Sequence, residues 1–87
     1  MTDYYCIYQV GYDVIHAVGT SVEQCKQNYL DEIGEEFDGS DSYFQCAVGD
    51  CVLLRCTDEV YNRVLKDGGQ FECGKIVVWD GCVRTSL

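Results

Sequence analysis

Proline is absent from the chain, and its turns are marked instead by glycine and aspartate. Because proline favours extended linkers and interrupts central strands, its absence indicates short turns within one compact sheet. No linker-like or low-complexity stretch divides the 87 residues, a length that supports a single hydrophobic core. We therefore expect one domain over residues 1–87.

Long apolar runs are also missing. Apolar runs such as residues 51–54 and 76–79 are only four residues long, whereas a helix that spans a membrane needs about 20 apolar residues. The first residues, Met1, Thr2 and Asp3, open on an acid and lack the basic and apolar regions of a secretory signal. These features predict a cytoplasmic protein without a membrane partner.

Basic residues are scarce. Six Lys and Arg stand against fifteen Asp and Glu, which gives a formal net charge of −9. No Lys or Arg occurs between Lys26 and Arg55. Nucleic acids and anionic lipids are bound through basic side chains that neutralise phosphates, so the charge argues against direct binding of either.

Histidine occurs once, at His16, whereas cysteine occurs seven times. A nucleophilic cysteine needs a histidine or a basic neighbourhood to lower its pKa, and structural zinc needs closely paired ligands such as Cys-x2-Cys. His16 is the only histidine, the acidic surroundings would raise a thiol pKa, and no Cys-x2-Cys pair occurs. The sequence therefore predicts no enzymatic activity, no catalytic residues, no metal and no cofactor. We expect reduced, buried thiols; a disulfide framework and a thiol-based metal or redox protein remain the alternatives. The cysteines are Cys6, Cys25, Cys46, Cys51, Cys56, Cys73 and Cys82.

The first half of the chain predicts a hairpin and a helix. Residues 3–10 and 14–18 are rich in aromatic and β-branched types and flank a turn at residues 11–13. Thr20 or Ser21 is a candidate cap for the helix that follows, and Gly34 is a candidate for its end. The apolar stripe of that helix consists of Val22, Cys25, Tyr29, Leu30 and Ile33.

The second half predicts another hairpin, a shorter helix and two further strands. Residues 43–48 and 51–56 would pair around a type II′ turn at residues 49–50, with Cys46 and Cys51 on one face and Cys56 on the other. Both faces are mostly apolar, so we expect this hairpin at the centre of the sheet. The helix would begin at Thr57 or Asp58 and end at residues 68–69, with Val60, Tyr61, Val64 and Leu65 facing inward. Residues 70–79 and 82–85 would form the last strands, joined by a turn at residues 80–81.

The order of these elements is ββαββαββ. Strands joined by short turns pair antiparallel, and helices that follow hairpins cover a sheet. We therefore expect an α+β domain in which an antiparallel sheet carries two helices packed on one side.

One stretch, residues 31–41, concentrates negative charge and is called here the acidic segment. It holds six carboxylates, and those at the helix end oppose the negative end of the helix dipole. An exposed run of this kind lacks the buried carboxylate that acid–base catalysis needs and the ligand spacing of an EF-hand. A solvent-exposed tyrosine from the N-terminal group would add contact area beside the acids. The candidate partner-binding residues are Asp31, Glu32, Glu35, Glu36, Asp38 and Asp41.

In size, acidity and α+β layout, with the acidic segment as its main feature, the chain resembles the small phage-encoded anti-CRISPR and DNA-mimic inhibitor proteins. That resemblance implies a non-enzymatic protein whose carboxylates stand in for phosphates. Its partner would be a basic nucleic-acid-binding protein, a CRISPR effector being one example. The alternative is a small soluble domain whose acidic segment is only solvated. A monomer and a homodimer joined through a β-edge fit either interpretation.

Overall fold

The computed structural model describes residues 2–39, 41, 43–70, 75–79 and 81–85. Within these residues, two α-helices and a five-stranded sheet confirm the expected α+β class. Residues 71–74 of the predicted strand 70–79 and Asp80 of the predicted turn lie outside the described residues. The elements are β1 (Tyr4–Gln9), β2 (Val14–Gly19), α1 (Val22–Ile33), a 3-10 helix (Tyr43–Gln45), β3 (Cys51–Cys56), α2 (Asp58–Asp67), β4 (Ile76–Trp79) and β5 (Cys82–Thr85).

The sheet is mixed, so the expectation of a wholly antiparallel sheet is wrong. Its strand order is β2-β1-β3-β5-β4. Strand β1 pairs antiparallel with β2 and β3, and β4 pairs antiparallel with β5, but β3 and β5 run parallel. Helix α2 separates β3 from the β4–β5 hairpin, and the direction of the strand beside β3 depends on which strand of that hairpin lies there. This hairpin then places its second strand, and not its first, beside β3.

The predicted hairpin of residues 43–48 and 51–56 does not form. Only the second half is a strand, while Tyr43–Gln45 is a 3-10 helix. Strand β3 does lie at the centre of the sheet, but its two edges are occupied by β1 and β5. No edge of β3 is left for residues 43–48, so the order of elements is ββαβαββ. A turn does form at residues 47–50, where the Asp50 amide donates to the Ala47 carbonyl at 3.0 Å.

The two helices pack on opposite faces of the sheet, not on one side. Buried Cys25 of α1 joins Ile7 and Leu53 in one cluster. Buried Val60 of α2 joins the larger cluster on the other face, which includes Val52. Because successive side chains of a strand point to opposite faces, the apolar stretches of β1 and β3 cover both sides. The two apolar faces that predicted a central position for β3 therefore also require a helix on each side of the sheet.

An irregularity in the β1–β2 pairing distributes β2 between the two faces. Ile7 pairs with Ala17 and the next residue, Tyr8, pairs with Ile15, so His16 is an extra residue in β2. Such a bulge reverses the alternation of side chains. Ile15 consequently joins the α2 face while Ala17 joins the α1 face.

The predicted helix bounds are confirmed, together with their caps. Ser21 caps α1 by accepting the Gln24 amide at 3.0 Å, and Gly34 ends the helix in the left-handed conformation. Thr57 caps α2 by accepting the Val60 amide at 3.3 Å. The inward face assigned to α2 is wrong in one place, because Leu65 is 64% exposed. That short helix turns only part of its predicted apolar stripe toward the sheet.

Candidate interaction surface

The acidic segment begins on the last turn of α1. Asp31 and Glu32 lie there without a basic residue in the same turn, and Oδ1 of Asp31 accepts a hydrogen bond from the side-chain amide of Gln27 at 3.1 Å. Beyond Gly34 the chain leaves the helix, and residues 35–39 form neither helix nor strand. All six predicted site residues, Asp31, Glu32, Glu35, Glu36, Asp38 and Asp41, are exposed.

The middle of the acidic segment is fastened to the domain by Phe37. This ring is half-buried and packs against the α1-face cluster. Its centroid lies 5.6 Å from that of Tyr29 on α1, and the two rings are nearly perpendicular at 79°. Edge-to-face pairs of this kind are worth about 0.5–1.5 kcal/mol beyond the area they bury. The carboxylates on either side of Phe37 are therefore carried on an anchored stretch.

Gly39 is a second anchor for the same segment. A Cβ atom at this position would collide with the carbonyl oxygen of Cys51 and would lie 2.7 Å from two ring carbons of Phe37. The backbone can approach β3 this closely only because Gly39 has no side chain. The segment thus passes directly over the first residue of the central strand.

Together these residues form a cavity, called here the Tyr29–Phe37 cavity, with a volume of about 400 Å³. Its wall combines the two rings, two carboxylates, an amide and two thiols. The lining residues are Tyr29, Phe37, Asp38, Gly39, Gln45, Cys46, Gly49, Asp50 and Cys51. Of the six predicted site residues, only Asp38 lines this cavity. Glu36 instead lines a separate cavity of about 310 Å³ along the outer side of α1, which it shares with Lys26.

A series of side-chain hydrogen bonds connects the strands and the turn next to this cavity. The Gln9 side-chain amide donates to the Gly49 carbonyl at 3.2 Å, and its oxygen accepts from Nε2 of His16 at 2.9 Å. The His16 ring in turn meets Tyr29 edge-on, with the centroids 6.2 Å apart. His16, the bulge residue, thereby has a structural role in linking β2, β1, α1 and the turn at residues 47–50.

Two exposed apolar side chains lie beside the cavity, and of these the sequence predicted only the exposure of a tyrosine, without its position. Tyr12 is 58% exposed and Val48 is 77% exposed. Tyr12 and Val48 lie near each other because the β1–β2 turn packs against the turn at residues 47–50. In this contact the Gly49 amide donates to the Val10 carbonyl at 2.8 Å. The contact is close, since a Cβ at Gly11 would lie 2.8 Å from Val48. Had residues 43–48 formed a strand, Val48 would have been covered.

The expectation of an exposed tyrosine in the N-terminal group is confirmed at Tyr12. Tyr4 and Tyr5 point to opposite faces of the sheet, and both are half-buried because each face carries a helix. Tyr8 is buried. The exposed ring is that of Tyr12, which lies in a turn and not on a strand.

The six described cysteines do not form one cluster, although Cys46 and Cys51 both line the Tyr29–Phe37 cavity. Cys46 packs against the α2-face cluster and Cys51 against the α1-face cluster, so the two do not share a face as predicted. The six cysteines within the described ranges are all outside disulfides; Cys73 is not among them. In the same ranges no group of three or more His, Cys, Asp or Glu side chains could hold a metal ion.

Burial makes several of these thiols weaker acids than an exposed cysteine. Hydrogen bonding to Cys56 and burial raise the pKa of Cys6 well above its ordinary value. Burial raises the pKa of Cys25 to about 12. Burial also raises the pKa of Cys51, with a smaller opposing effect from its hydrogen bond to Tyr29. A raised pKa keeps a thiol protonated and unreactive near neutral pH.

We predict a graded order of thiol alkylation. Iodoacetamide at pH 8 should modify half-buried Cys46 and Cys82 before Cys6 and Cys25, which are both 0% exposed. Since the thiolate is the reacting species, the raised pKa and the burial act in the same direction. Peptide mass spectrometry over time measures the order, and the same reaction in urea should abolish the differences. Equal rates at Cys25 and Cys82 in the folded protein would contradict the prediction.

Within the described ranges, neither helix is long and apolar enough to cross a membrane. Comparison of the chain with models of known protein families, with curated proteins and with solved structures finds no match. The proposals below therefore depend on the residues of this chain.

Proposed function

We propose that this protein is a non-enzymatic inhibitor or adaptor that docks its acidic segment onto a basic, nucleic-acid-binding protein, in the manner of phage anti-CRISPR and DNA-mimic proteins. The observation that carries the proposal is a run of six exposed carboxylates held on a segment anchored by Phe37 and Gly39. The carboxylates take the place of nucleic-acid phosphates. We place this activity in the cytoplasm, where reduced thiols are the rule.

Electrostatics supports such a partner. With a net charge of −9, the chain is repelled by nucleic acid and attracted by the positive grooves that bind it. Electrostatic fields of opposite sign accelerate the association of two proteins. Fields of the same sign disfavour it. A protein that presents phosphate-like charge on a fixed surface would compete with nucleic acid for the same groove.

The neighbouring apolar residues favour docking over simple solvation. Protein interfaces join an apolar or aromatic centre to a polar rim. Tyr12 and Val48 supply such a centre, and Asp38 and Asp50 lie in the adjoining cavity wall. A run of acids that served only solubility would need neither an anchoring Phe37 nor an exposed tyrosine beside it.

The test is to capture partners from the native cell with tagged protein and to compare the unaltered chain with a variant that lacks charges of the acidic segment. A variant carrying Glu35→Gln, Glu36→Gln and Asp38→Asn should lose basic nucleic-acid-binding proteins that the unaltered chain retains. With an identified partner, we expect affinity to fall by roughly tenfold or more, equivalent to about 1.4 kcal/mol. Raising salt from 0.1 M to 1 M shortens the Debye length from about 10 Å to about 3 Å and should weaken the complex in parallel.

A matched control removes the same charge elsewhere. The variant Asp3→Asn, Asp58→Asn and Asp67→Asn alters three exposed acids away from the acidic segment and should retain the partner. Equal loss in both variants would indicate a dependence on net charge only. If neither the acidic-segment variant nor salt changes capture, the docking proposal is wrong and the solvated alternative stands.

A further inference from the structure

We infer that the Tyr29–Phe37 cavity receives an arginine side chain of the protein partner. The inference rests on the proposed function and specifies its anchor point. The docking surface then consists of a field that attracts basic partners and of one cavity that selects a particular basic side chain.

The two rings supply the first part of the argument. Tyr29 and Phe37 stand at 79° with centroids 5.6 Å apart, and both line the cavity. Because both rings belong to the cavity wall, a cation held in the cavity would lie beside aromatic carbon of two side chains. A guanidinium group binds such surfaces through cation–π attraction and through stacking of its plane.

The carboxylates supply the second part. Asp38 and Asp50 both line the cavity, and none of the described lining residues is Lys or Arg. Oδ2 of Asp50 accepts the Ala47 amide at 3.0 Å, which fixes the orientation of that carboxylate. Charge-assisted hydrogen bonds from a guanidinium to carboxylates are stronger than neutral ones and have a defined geometry.

The size and position of the cavity complete the argument. A volume of about 400 Å³ is at the lower end of the range for ligand sites, roughly 300–1,000 Å³, and leaves ample room for one long side chain. The exposed Tyr12 and Val48 adjoin the cavity at Gly49, where a partner backbone carrying the arginine would pass. A free cationic metabolite would make no use of those two side chains.

The test is an NMR titration of the whole chain with N-acetyl-arginine amide, and with the neutral isostere N-acetyl-citrulline amide as control. We expect saturable shifts confined to Tyr29 and residues 37–39 and 45–51, with a Kd on the order of 1 mM. The citrulline compound should produce none of them. Asp38→Asn should weaken binding about two- to fivefold, in keeping with a partly exposed ion pair. Phe37→Leu should weaken binding of the arginine probe more than Asp38→Asn does, because the aromatic ring is lost.

The matched control is Asp67→Asn, which removes the same charge at the end of α2 and should leave the titration unchanged. The spectrum of each variant also reports whether it is folded. Unsaturable shifts spread over all exposed acids, or equal binding of the citrulline compound, would overturn the inference. Tighter binding of free L-arginine than of the capped form would indicate a site for the amino acid itself and would also overturn it.

The two proposals fail separately. If the arginine probe does not bind the cavity but capture still depends on the acidic segment, the docking function stands without this anchor. If the probe binds as described but neither the acidic-segment variant nor salt changes capture, the cavity binds arginine and the docking function is wrong.

Discussion

Replacing Ile7 with Ala is expected to lower the free energy of unfolding by about 2–5 kcal/mol, the usual cost of truncating a fully buried aliphatic side chain. Ile7 is 0% exposed and pairs with Ala17 on one neighbouring strand and Leu53 on the other. An 87-residue domain has a total stability of roughly 4–13 kcal/mol, so this single change could remove much of it. Urea unfolding followed by circular dichroism measures the loss.

The control for Ile7→Ala is Leu65→Ala. Sequence periodicity assigns Leu65 to the core, whereas the structure leaves it 64% exposed on α2. Its truncation should therefore change stability by less than about 0.5 kcal/mol. A loss of several kcal/mol at Leu65, or a negligible loss at Ile7, would contradict the arrangement of the two faces.

Gly39→Ala is expected to release the acidic segment from the domain. The added methyl group cannot coexist with the Cys51 carbonyl oxygen and the Phe37 ring in their present positions. Overpacking of this kind costs about 1–3 kcal/mol, which the segment can avoid by lifting away from β3. A glutamate-specific protease should then cleave after Glu35 and Glu36 about tenfold faster or more, because a change of about 1.4 kcal/mol in local opening is a factor of ten.

Gly68→Ala is the matched control for Gly39→Ala. Gly68 ends α2 with φ +84°, so an alanine there is strained, but no atom lies within 4 Å of the added Cβ. We expect a comparable loss of global stability without faster cleavage at Glu35 and Glu36. If both variants accelerate cleavage equally, general loosening of the domain is the cause. In that case Gly39 has no anchoring role.

The elements predicted correctly are those determined by local chemistry. Helix α1 begins after Ser21 and ends at Gly34 as expected, because a capping hydroxyl and a left-handed glycine act within a few residues. The β1–β2 hairpin and the central position of β3 also followed from composition and alternation. The exposure of the six site carboxylates followed from their polarity.

The elements predicted wrongly depend on competition between distant segments. Residues 43–48 have the composition of a strand, but β1 and β5 occupy both edges of β3. The choice of β5 as a parallel neighbour is a matter of chain path, which no local pattern records. The exposure of Val48 and the assignment of Cys46 and Cys51 to different faces follow from the same competition.

The sequence by itself determined the fold class, the helix ends and the place along the chain where negative charge is concentrated. Each of these depends on residue type or on spacing over one or two turns of helix. Only the tertiary structure decided that two faces of the sheet are covered. It also decided that Phe37 and Gly39 fasten the acidic segment to β3 and that a cavity forms between Tyr29 and Asp50. These features need contacts between residues far apart in the chain, and such contacts are selected by packing and by the edges that remain free, not by local preference.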